Sequence, residues 1–140
     1  MADELRESIQ TLRTLAPKLN QVTDQATETV KAVEKFLDEN GVGVAAYACV
    51  DSRGDGPEGT YIGYLRHSGK FRIVVVDADA DGVDRRIRTW YECSRDEKLD
   101  SFDRLPDLLA HIAKQLQERI DRTANSVRLV SEFLTALASK

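Results

Sequence analysis

The sequence predicts an α+β fold: a long amino-terminal helix kinked or broken near Pro17, a four-stranded antiparallel meander, then a short helix and a long carboxy-terminal helix. Three observations carry this reading. Apolar residues recur at helical spacing over residues 3–39 and again from Leu109 to Leu137. Between these stretches the pattern changes to short runs rich in Val, Ile and Tyr, punctuated by Gly, Asp and Ser. The punctuating turns are too short for the crossovers of a dozen or more residues that parallel strands require.

The first stripe is Leu5, Ile9, Leu12, Ala16, Leu19, Ala26, Val30, Val33 and Leu37, with Thr23 in its one polar slot. Its alternating steps of four and three are those of a coiled-coil seam. Pro17 lacks a backbone donor and disfavours helix at the residue before it, so a break or kink is expected near Ala16. Asn40-Gly41 supplies the stop. Strands are then expected over 42–50, 61–66, 71–77 and 85–93, with a polar loop from Asp51 to Thr60 and turns at His67–Lys70 and Asp81-Gly82. Ser94 and Glu97 spell a capping box for a short helix reaching about Arg104, and Pro106 suits the first turn of the last helix. The whole, residues 1–140, reads as one domain, helical over 1–40 and 94–140 with the sheet over 41–93.

A terminal helix of some 34 residues is about 50 Å long, whereas a strand of seven to nine residues spans only about 23–30 Å. The helices therefore outrun any sheet these strands can build. Their surplus apolar stripe must meet the other helix, a second copy or another protein.

A net charge of −4 argues against general nucleic-acid binding, which rests on cations neutralising phosphates. The acidity sits mainly in residues 1–40, with 5 Lys+Arg against 8 Asp+Glu. No apolar run approaches the ~18 residues of a membrane span, the amino terminus does not read as a secretory signal, and two isolated cysteines make no disulfide framework. A reduced, cytoplasmic protein is expected. The spacings of a P-loop, dinucleotide fold, nucleophile elbow or zinc site are absent, and neither Cys49, Cys93, His67 nor His111 has a partner at catalytic spacing. No cofactor and no catalytic set is expected.

Two local patterns remain as candidate sites. Asp77-Ala-Asp79-Ala-Asp81-Gly82 repeats the alternating carboxylates of a calcium loop, with Asp84 nearby, but Arg88 stands where a bidentate glutamate would be. The competing reading is an acidic hairpin tip. Strand alternation also places Arg66, Arg72, Arg86, Arg88 and Trp90 on a common face, a combination that can stack bases and pair phosphates. Its competing reading is a solvated face salt-bridged to the acidic first helix. The preferred functional expectation is a non-enzymatic, adaptor or chaperone-like protein-binding module, forming a homodimer or holding a protein partner through Leu12, Leu19, Val30, Val33, Leu116, Ile120, Val127 and Leu134.

Overall fold

The computed structural model describes residues 2–139; Met1 and Lys140, the limits of the expected domain, lie outside them. Helix α1 runs Ala2–Glu39, followed by strands β1 (Ala46–Ser52), β2 (Gly59–His67), β3 (Lys70–Ala78) and β4 (Asp84–Thr89). A short 3-10 turn, Trp90–Glu92, leads into α2 (Arg95–Phe102) and α3 (Leu105–Ala138). The strands lie in the order β1-β2-β3-β4, each antiparallel to its neighbour. The α+β meander is as the sequence predicts.

Several boundaries differ, each for a local reason. α1 does not break at Pro17; it continues unbroken through it. The surrounding turns are exposed, so the carbonyl that loses its amide partner faces solvent rather than a dry core. β1 begins at Ala46, not residue 42: Val42 and Val44 are spent on core contacts, and the Tyr64 hydroxyl donates to the Val42 carbonyl at 2.7 Å. β4 ends at Thr89 because Trp90 turns inward, where its ring is fully buried and its indole N–H donates to Ser101 Oγ at 3.1 Å. The β3 amide at Ile73, one residue past the last β3–β4 pair, is taken instead by Glu34 Oε1 of α1 at 3.0 Å. The expected capping box forms, with Ser94 and Glu97 exchanging backbone–side-chain bonds, although α2 ends at Phe102.

One face of the sheet carries the main core. Ile62, Tyr64, Ile73 and Val75 meet Ala26, Val30 and Leu37 of α1, Trp90, and Leu105, Leu108 and Ile112 of α3. The other face has a small cluster of Leu65, Val74, Val76 and Ile87. Only α1 from about Ala26 onward, and α3 up to about Leu116, rest on this body. The remainder of each helix projects beyond it.

Trp90 occupies the corner where the sheet, α1 and α2 meet, so its loss leaves a large cavity and removes the donor to Ser101 Oγ, which keeps only its own bond to the Lys98 carbonyl. Trp90→Ala is expected to cost about 3–5 kcal/mol, read as a lowered urea midpoint with little change in slope.

Candidate interaction surfaces

The strand register keeps only part of the arginine face together. Tyr64 pairs with Ile73 and Arg66 with Phe71, while Val75 pairs with Arg88 and Asp77 with Arg86. Arg66, Arg86 and Arg88 therefore share the helix-covered face with Ile73 and Val75. Arg72 pairs with Leu65 and lies on the opposite face. The sequence reading placed β3 one residue out of phase. Trp90 is not a stacking platform either, being buried beside Lys98, whose Nζ lies 5.4 Å from its ring centroid.

Arg88 is structural in its geometry. At 7% exposure it donates to Asp77 Oδ2 at 3.1 Å and to Glu97 Oε2, tying β4 to β3 and to the first turn of α2. Asp77 also accepts the Thr60 hydroxyl at 2.8 Å, and Glu97 closes the capping box. The Arg88 hydrogen bond, aided by the Ser94 amide, holds the Glu97 carboxyl down at about 2, from a usual 4.5.

The acidic loop is likewise dispersed. Asp77 faces Arg88, whereas Asp79 accepts the Asp81 and Val83 amides at 3.0 and 2.9 Å and the Arg85 guanidinium at 2.6 Å. Those bonds, the Val83 amide foremost, lower the Asp79 pKa and close the turn at Gly82, whose φ of 78° suits glycine. Among the described residues no group of three or more His, Cys, Asp or Glu is placed to hold a metal ion. Asp77 thus serves the Arg88 bond and Asp79 ties its own hairpin tip, while the Asp81 and Asp84 carboxylates carry no side-chain bond among the described residues.

The expected interface residues divide into two classes. Val30 is fully buried, and Val33 and Leu116 are partly buried against the body, so these three serve the fold. Leu12, Leu19, Ile120, Val127 and Leu134 lie on the projecting halves and stay exposed. Their neighbours do the same: Leu5, Ile9, Leu15 and Val22 on α1, and Leu129, Val130, Phe133 and Leu137 on α3. Fractional exposure is 42–65% on the first projection and 50–62% on the second, so neither covers the other.

The reason lies in where they leave the body. Asn20 of α1 accepts a 3.0 Å bond from Arg95 at the start of α2. Leu116, Arg119 and Arg122 of α3 line a small cavity with Gly41, Gly43, Val44 and Ala45, just after α1 ends. The projections therefore depart from opposite ends of the docked part of α1. Between the docked halves lies an open apolar groove of about 710 Å³, walled by Thr29, Ala32, Val33 and Phe36 on one side and Leu109, Ile112 and Ala113 on the other. Sequence reasoning named Val33 but missed the rest of its α1 wall, although Leu15, Val22, Thr29 and Phe36 recur every seven residues beside the main stripe.

Among the described residues no helix is long and apolar enough to cross a membrane. Neither a scan against protein-family models nor searches of curated proteins and of solved structures gave a match.

The Arg88–Glu97 contact makes stability acid-sensitive in a defined window. Because the folded Glu97 pKa is depressed, its contribution is complete above the unfolded value near 4.5 and is lost as pH falls towards about 2. In thermal melts across that range, Glu97→Gln should flatten the acid limb; an unchanged limb would assign the acid sensitivity elsewhere. Adding calcium should leave the melting temperature where it is, since Asp77 and Asp79 already have partners and the described carboxylates do not converge on a common point.

Proposed function

We propose that this protein is a non-catalytic binding module that self-associates through the projecting halves of its terminal helices and works as an adaptor or chaperone-like scaffold. The observation that carries this reading is the exposure of both apolar stripes, each continuous with a stripe that the same helix buries against the sheet. A helix isolated in water gains nothing from such a stripe and is itself marginally stable. Exposed apolar patches of this extent mark interaction surfaces in soluble proteins.

The areas support two copies coming together. A projection such as residues 117–138 is roughly 33 Å long, and half the girth of a helix 10–12 Å across gives on the order of 500–600 Å². Standard interfaces cover about 800 Å² per partner, so one projection supplies most of what a stable dimer needs. The polar residues of the candidate sites support the same reading, since Arg88, Asp77, Asp79 and Glu97 bond to one another or to backbone and hold no group poised over an open cavity.

Sedimentation of the purified protein at tens of micromolar should show a dimer or larger species. Val127→Asp together with Leu134→Asp should return a monomer whose sheet melts at nearly the wild-type temperature, because both residues are exposed on the projection. A wild-type monomer at that concentration would remove the basis of the proposal.

A further inference from the structure

Resting on that reading, we infer that α3 pairs with α3 of a second copy, antiparallel and about a two-fold axis, with Val127 facing Val130 of the second copy, Ile120 facing Leu137 and Leu134 facing Thr123. The α1 projection is left for other contacts.

Four observations select α3. Leu116, Ile120, Thr123, Val127, Val130, Leu134 and Leu137 keep a four-three spacing on a projection free of proline, whereas the α1 projection, although continuous and of the same spacing, carries Pro17. From Thr123 to Ala138 the only charged residues are Arg128 and Glu132. They bond to each other at 2.9 Å, one turn apart on the side away from the stripe. The positions flanking the stripe are mostly small, with Ala124, Ser126, Ser131 and Ala138 permitting close helix approach. Loss of charge around an apolar centre is the compositional mark of an interface core.

Orientation follows from the body. The stripe on the projection continues the line of Leu105, Leu108 and Ile112, which face this chain's own sheet. A second helix laid on that stripe lies on the same side as the sheet. In a parallel pair both bodies would contend for the gap of 8–10 Å between the helices. Turned end for end, the bodies stand apart, with the two Ile112 residues about 50 Å from each other at 1.5 Å per residue.

The antiparallel register also gives the helix end a receptor. Arg119 and Arg122 fall opposite residues 138 and 135 of the second copy. Both arginines line the cavity beside Gly41–Ala45, and neither makes an ion pair among the described residues. The last turn of α3 has no basic residue to balance its carbonyl ends. A guanidinium pair placed there answers the negative end of the helix dipole.

Spin labels distinguish the arrangements. In a Cys49→Ser chain, labels at Glu118→Cys should lie about 30 Å from their counterparts along the helix axis, and labels at Asn125→Cys only about 10 Å. Equal separations at both sites would show parallel pairing and overturn the orientation. A dimer by sedimentation with no dipolar coupling at either site would overturn the α3 contact while leaving self-association standing; a monomer would sink both. Arg119→Glu with Arg122→Glu should weaken dimerisation roughly tenfold without disturbing the fold, and unchanged affinity would dismiss the helix-end contact.

Discussion

A four-stranded meander has a finite footprint, and everything distinctive about this protein follows from what that footprint can cover. One face of the sheet is filled by Val30, Leu37, Leu108, Ile112 and Trp90 acting together. Beyond roughly one strand length there is no further surface for a helix to rest on. Both terminal helices nevertheless keep their apolar spacing past that limit. The sheet thus sets where each helix changes from a component of the core to a projecting rod.

Polar side chains make this division sharp. Glu34 takes the unpaired Ile73 amide, and Arg88 joins two strands to the head of α2. Such contacts add little net energy beyond that of ordinary hydrogen bonds, but leaving any one of these groups unpaired would be costly. They fix the angle of α1 and the corner at Trp90. The direction of α3 is set instead by the packing of Leu105, Leu108 and Ile112 in the core.

Much of this was readable from residue order, and the failures have identifiable causes. The capping box at Ser94 and Glu97, the hairpin at Gly82 and the two helical stripes rest on local spacing, which the tertiary structure preserves. The phase of β3 was not readable. Ile73 to Val76 is a run of four apolar residues buried on both faces, so alternation carries no signal there. Arg88 looked like a surface cation because its partners, Asp77 and Glu97, meet it only after the chain has turned through Trp90. Periodicity showed which side of each helix is apolar. It could not divide Val30 and Val33 from Leu12 and Leu19, because that depends on where the sheet ends.

The projecting rods also bear on the lifetime of the chain. Backbone at their far turns is held by intrahelical bonds alone, the weakest arrangement available to a helix in water. Such segments open locally far more often than the body does, and proteases cut what opens. A lone molecule is therefore vulnerable at both extremities, while an engaged one is shielded there. Abundance would then track occupancy, with uncomplexed copies trimmed first.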